Sequence, residues 1–222
     1  MAKHPRLADL CLAAAFIFGS SVSSVGAHPH VWVDMRSTIV FNDDGALAGV
    51  YHRWTFDEFF SAYASQGLET DGDGVLSREE LQPLAEVNVE SLHEFDFFTF
   101  LDLDGERGQF VNPEDYWLEH DGRQLTLHFV LPLAEPLMMD ARNVSIEVFD
   151  PSFFVDFTPA ETEAAALYNA PDYCRMEVEE AEPFDPALAA RLAQIPADVR
   201  DLPPELFAFT AENPNAIHVK CE

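Results

Sequence analysis

The 222-residue sequence predicts an α+β fold: a largely antiparallel β-sheet domain with an inserted EF-hand-like helix-loop-helix and an irregular C-terminal segment closed by a disulfide. Three observations carry this expectation. Apolar and polar residues alternate in strand-length runs on either side of residues 55–95. Within that span, cap signals bracket two helical stretches around an acidic, glycine-containing loop. Late in the chain, Cys174 and Cys221 remain as a pair once an N-terminal leader is set aside. Strands surrounding a helical pair suit one layer of sheet packed against helices.

Residues 1–27 read as a signal peptide. Lys3 and Arg6 supply a short basic region, and Leu10 to Phe18 an apolar stretch too short to span a bilayer. Val25 and Ala27 occupy the two positions that a signal peptidase inspects. Cleavage after Ala27 leaves an exported, periplasmic chain with no later segment for direct membrane insertion. A single domain is expected over residues 28–158, with the helical insertion at about 55–95 and residues 159–222 as an extension packed on it.

Val31, Val33, Met35 and Ile39 alternate up to Asn42-Asp43-Asp44-Gly45, a turn signal. Leu47, Val50, Tyr51 and Trp54 then resume the pattern and close a hairpin. Thr55 and Glu58 have capping-box spacing for a first helix, which Gly67 can end. Ser77 and Glu80 repeat that spacing for a second helix running through Leu92. Residues 95–103, 124–132 and 143–149 read as strands, and Asp104-Gly105 turns the first of them. Beyond Pro159 the chain is rich in Ala, Glu and Pro, with one helix expected over Pro186 to Ile195.

Twelve basic residues face forty acidic ones, for a net charge of −28. Such a surface repels nucleic acid and anionic lipid and attracts cations. Adaptation to a salty habitat produces the same composition, so bulk acidity is no argument for a metal site. Two cysteines in an exported protein suggest a Cys174–Cys221 disulfide rather than a thiolate metal site, which no CxxC spacing supports.

The acidic loop carries the sharpest local chemistry. From Glu69 to Glu80 it offers oxygen side chains at Glu69, Asp71, Asp73, Ser77 and Glu80, and the carbonyl of Val75 falls where a backbone ligand is used. Ca²⁺ takes six to eight hard oxygen ligands, and Gly74 permits the sharp turn that folds them round the ion. Glu69 departs from the usual aspartate, and a metal-free acidic turn is the alternative. An exported protein meets steady calcium, so a filled site would act as a clamp.

The second candidate centre is N-terminal. After cleavage, His28 would offer both its α-amine and its imidazole to one ion. Pro29 lacks the amide hydrogen that the usual amino-terminal copper and nickel motif must lose. Folding the hairpin about Asp43-Asp44 sets His52 opposite about Met35 and brings Asp57 near His30. Imidazole with carboxylate suits zinc, nickel, cobalt or copper. His93, His120, His128 and His218 are expected to be surface or satisfied core residues.

His28-Pro29-His30, Trp54-x-Phe56-Asp57-Glu58, Asp71-x-Asp73-Gly74, Leu131-Pro132-Leu133 and the run Val148-Phe149-Asp150-Pro151-Ser152-Phe153-Phe154-Val155 together resemble a bacterial periplasmic family, domain of unknown function 1007. The likeness runs to about residue 158. It implies handling of zinc, nickel or cobalt with an inner-membrane metal permease as partner. It points to His28, His30 and His52 as ligands and makes Asp150 a candidate fourth, a turn residue before Pro151 being the alternative. A metal-binding accessory role, capturing or delivering Zn²⁺ or a related ion, is therefore expected. Two readings compete with it: a copper-dependent oxidative enzyme built on the N-terminal histidine, and a calcium-stabilised envelope protein. No serine elbow, HExxH or nucleophile–base pair favours catalysis.

Overall fold

The computed structural model describes residues 29–139, 142–196, 199 and 202–222. The expected leader and His28 lie outside the described residues. In chain order, β1 (Val31–Phe41) and β2 (Leu47–Phe56) form the hairpin, followed by α1 (Glu58–Ala64), α2 (Arg78–Leu92) and a 3-10 segment (His93–Phe98). Next come β3 (Thr99–Leu103), β4 (Glu106–Arg107), β5 (Tyr116–His120), β6 (Leu125–Leu137), β7 (Asn143–Val148), β8 (Val155–Pro159), β9 (Ala165–Tyr168) and β10 (Cys174–Glu179). The chain ends with α3 (Pro186–Leu192), α4 (Pro204–Ala211) and β11 (Asn215–Cys221).

Two sheets face each other. One runs β5–β6–β2–β1–β8, with β9 pairing β1 beyond β8; the other runs β10–β11–β7–β3–β4. Pairing is antiparallel except where β8 and β9 lie parallel to β1. Period-two burial decides which face is which. Val31, Val33, Met35, Ser37, Ile39 and Phe41 are buried, whereas Trp32 and Asp34 between them are exposed. Ile39, Phe41, Leu47 and Val50 of the first sheet meet Leu101, Ile146, Ile217 and Val219 of the second. At the other end, α2 replaces the second sheet. Its Leu81, Ala85 and Val89, one helical face, pack on Trp54, Leu118 and Leu127.

The hairpin turn forms as its residues dictate. Asn42 Oδ1 accepts from the amides of Asp44 and Ala46 at 3.1 and 2.9 Å, and Gly45 takes the positive φ of 77° that the turn needs. A bulge between Val40 and Phe41 lies beside it. The register differs from expectation by two residues: His52 pairs with Ser37, and Met35 with Trp54. A two-residue shift keeps every side chain on its face.

Capping is as expected at one helix and different at the other. Ser77 and Glu80 form the reciprocal capping box of α2. Thr55 belongs to β2, where its hydroxyl bonds that of Thr126 at 3.0 Å, and Asp57 caps α1 instead. The carboxylate reaches the amide of Phe60 at 2.9 Å, a bond the β-paired Thr55 has no means to make.

The chain after Pro159 is woven into both sheets. β9 extends the edge of β1, and β11 lies between β10 and β7. Cys174 and Cys221 form the disulfide, at paired positions of β10 and β11. Leu188, Leu192, Leu202 and Leu206 make a small satellite core around α3 and α4. Among the described residues, no helix is long and apolar enough to cross a membrane.

One short segment is strained. Asp96, Phe97 and Phe98 take φ of 51°, 54° and 48° in succession. Left-handed backbone costs a residue other than glycine roughly 1–2 kcal/mol. Burial of Phe97 and Phe98 against the main core offsets that cost.

Candidate metal centre

The acidic loop connects the two helices of the insertion. Glu69, Asp71 and Asp73 bring one carboxylate oxygen each within 4.8 Å of one another, among the described residues the one such group of three. Backbone amides hold them there. Glu69 Oε1 accepts from Gly72 at 2.6 Å and from Gly74 at 3.5 Å. Asp71 Oδ1 accepts from Asp73 at 3.1 Å, and Asp73 Oδ1 from Val75 at 2.7 Å. Gly74, at φ 79°, supplies the left-handed turn that lets its amide point back at Glu69.

Glu80 stands apart from this trio. Its Oε1 accepts from the amide and hydroxyl of Thr70 at 2.6 and 2.7 Å, and its Oε2 from the amide and hydroxyl of Ser77 at 3.0 and 2.9 Å. These bonds, that from the Ser77 amide foremost, hold its pKa down to about 2. The carboxylate thus closes the loop on itself, tying its second residue to the start of α2. A bidentate role toward a cation uses both oxygens, so it requires Glu80 to release one bond from Thr70 and one from Ser77.

Of the expected histidines, His28 lies outside the described residues, and His30 and His52 are placed apart. His52 is fully buried on the inner face, with Ser37 Oγ at 3.0 Å from Nδ1 and Thr99 Oγ1 at 3.2 Å from Nε2. Its strand partner is Ser37, seven residues along β1 from His30, a distance of about 23 Å. Both ring nitrogens are engaged, and burial lowers the pKa to about 3. Position and bonding alike separate His52 from His30. His52 is a satisfied core histidine, a state expected of His93, His120, His128 and His218.

Asp57 and Asp150 are organisers of backbone. Asp57 joins the Trp32 amide, at 3.1 Å, to the first turn of α1. Its strand-level neighbour is Trp32, whose carbonyl accepts from the Asp57 amide at 2.9 Å, rather than His30. Asp150, 6% exposed, accepts four bonds: from the amide and hydroxyl of Ser152 at 2.8 and 2.7 Å, and from the amides of Phe154 and Val155 at 3.0 and 2.9 Å. That is the turn arrangement the sequence left open beside the ligand reading. His30 lies against this turn, its amide donating to the Phe154 carbonyl at 2.8 Å and its ring 4.7 Å from the Phe154 ring.

A further cluster escaped the sequence reading. On the outer face of the first sheet, Tyr51 OH lies 2.7 Å from His128 Nδ1, and His128 Nε2 lies 3.4 Å from Glu119. Glu119 also accepts from the Trp117 indole at 3.0 Å and from Arg78 at 2.7 Å. The Trp117 and His128 rings stack at 4.7 Å, with the Arg78 guanidinium over Trp117. The Trp117 hydrogen bond is the main cause lowering the Glu119 pKa, whereas burial lowers that of His128 and raises that of Tyr51. From sequence, Tyr51 groups with the apolar residues of β2, whereas it lies on the less buried face, and the pairing of β5 with β6 that adds Trp117 and Glu119 left no local signal.

A disulfide-tied pair of facing sheets with an EF-hand-like insertion is thus the class of protein that fold and site define. The chain belongs to the family described as Protein of unknown function (DUF1007), which matches residues 12–221. An uncharacterized protein of Haemophilus influenzae is 26% identical over 140 residues, spanning 62% of this chain and 66% of that relative.

Proposed function

We propose that this is an exported, periplasmic cation-binding protein, in which a calcium ion clamps the helical insertion and the N-terminal histidines handle a divalent transition metal for an inner-membrane permease. The observation that carries the reading is the convergence of Glu69, Asp71 and Asp73 within 4.8 Å on a loop capped by Glu80. Hard oxygen ligands on a glycine-turned loop suit Ca²⁺. Export is supported by the disulfide, a bond that persists in oxidising compartments.

The transition-metal part rests on His28 and His30, with zinc preferred and nickel, cobalt or copper as chemical alternatives. Its support is the position of His30, held by its backbone at the Phe154 carbonyl beside the Asp150 turn. A site anchored there would be rigid at one end. His52 has no part in it, and Asp150 would act by fixing the turn that receives His30.

Metal analysis of protein purified from the periplasm tests both halves. Zinc, nickel, cobalt and copper are measured in the intact chain and in a His28→Ala, His30→Ala variant, and calcium binding is titrated by calorimetry in both. Equal transition-metal content would sink the N-terminal site; absence of a calcium isotherm would sink the loop.

A further inference from the structure

A cavity of about 710 Å³ opens between the first sheet, the C-terminal end of α2 and the Pro151 turn. That volume lies in the small-molecule range of roughly 300–1,000 Å³. Its walls are aromatic: Trp54, Phe56, Phe98, Phe154 and Phe157 line it, and Phe95 and Phe207, each about half exposed, flank it. The charged side chains on its lining are Asp96 and Asp150, both acidic. Among the described residues, no lysine, arginine or histidine lines it.

The ligand class follows from this pairing of aromatic faces with carboxylates. An organic anion entering would meet two like charges and no counter-ion, inside a protein of net charge −28. A neutral hydrocarbon would gain burial alone. An apolar cation gains burial, attraction to the carboxylates and the negative faces of the rings. Asp96 is exposed and held in a left-handed turn together with Phe98, so one strained segment presents a carboxylate and a ring to the same space. We propose that this cavity binds an apolar organic cation of the alkylammonium class. The cavity shares the Asp150 turn and the Phe154 ring with the surroundings of His30, but neither His30 nor Glu69, Asp71 or Asp73 lines it, and the proposal does not depend on either metal.

Calorimetry on the full chain in 150 mM NaCl tests this with three probes that share an aromatic ring bearing a trimethyl head. Phenyltrimethylammonium carries the cation, tert-butylbenzene is its neutral isostere, and 4-tert-butylbenzoate carries the opposite charge. The expected result is saturable binding of one phenyltrimethylammonium per chain, about tenfold tighter than the neutral isostere, with no binding of the benzoate. Asp96→Asn and Phe95→Leu, both at exposed positions, should each weaken the cation about fivefold, with unfolding transitions checking that both variants fold. Equal affinity for the neutral isostere, non-saturable uptake, or unchanged affinity in both variants would overturn the proposal.

Discussion

His52 of β2 and Thr99 of β3 meet across the two sheets, Nε2 to Oγ1 at 3.2 Å. The Thr99 hydroxyl donates to the Phe97 carbonyl at 2.9 Å, so it accepts from His52. The imidazole therefore carries its proton on Nε2, and Nδ1 accepts from the Ser37 hydroxyl. This neutral, doubly bonded ring fastens one sheet to the other inside an otherwise apolar layer.

A depressed histidine pKa has a definite sign in stability. Between the ordinary value near 6.5 and the buried value of about 3, the unfolded chain binds a proton that the folded one refuses. The contribution of His52 is present in full above pH 6.5 and is lost as pH falls, by up to about 1.4 kcal/mol per pH unit. Urea unfolding at pH 7 and pH 5 should show this loss in the parent chain and a smaller one in His52→Gln. On the proposed function, in which His52 is no ligand, the same variant should match the parent chain in zinc binding. An identical pH dependence in the two proteins would refute the assignment.

Calcium at one hundred times its dissociation constant should raise the unfolding free energy of the parent protein by about 2.7 kcal/mol. The shift should vanish in Glu80→Gln and in an Asp71→Asn, Asp73→Asn variant. Thermal melts with calcium and with EDTA give the comparison. A calcium shift retained in all variants would move the site elsewhere.

The Cys174–Cys221 bridge closes a 47-residue separation, which the loop-entropy relation converts to about 4 kcal/mol. Cys174→Ala, Cys221→Ala should lose stability of that order. Because the bridge joins paired positions of β10 and β11, loss of hydrogen-exchange protection should begin on those strands. Uniform loss across both sheets would contradict this.

Tyr51→Phe removes the partner of His128 Nδ1 while keeping the ring beside Trp117. A buried ring nitrogen left without its hydrogen-bond partner costs about 1–3 kcal/mol. Urea titration should show a loss in that range, and the stacked Trp117 should change its emission. A loss below a few tenths of a kcal/mol would mean that water replaces the phenol.

The parts of this fold legible in sequence are those fixed by neighbours in the chain. The Asn42 turn, the Ser77–Glu80 box and the alternation of β1 are local, and each was read correctly. Thr55 failed because a strand partner seventy-one residues away, Thr126, claimed its hydroxyl. His52 failed for a related reason. The sequence does not fix the hairpin register that decides which β1 residues share its face, and the identity of the facing layer is set by β3, which follows the whole insertion. The registers of β8 and β9 on β1 left no local trace, since parallel pairing needs no turn.

β1 gains its outer neighbours from residues 155–168, so Val31 waits for Val155 and Ile39 for Leu167. Until then, eleven residues of apolar-alternating strand have an open edge, a template for pairing with other chains. A nascent chain halted before Val155 therefore lacks both outer partners of its first strand. Folding has a late gate: more than a hundred residues must follow Val31 before the first strand can close. Fragments ending near residue 150 should aggregate, where fragments carrying β8 and β9 should stay dispersed in light scattering.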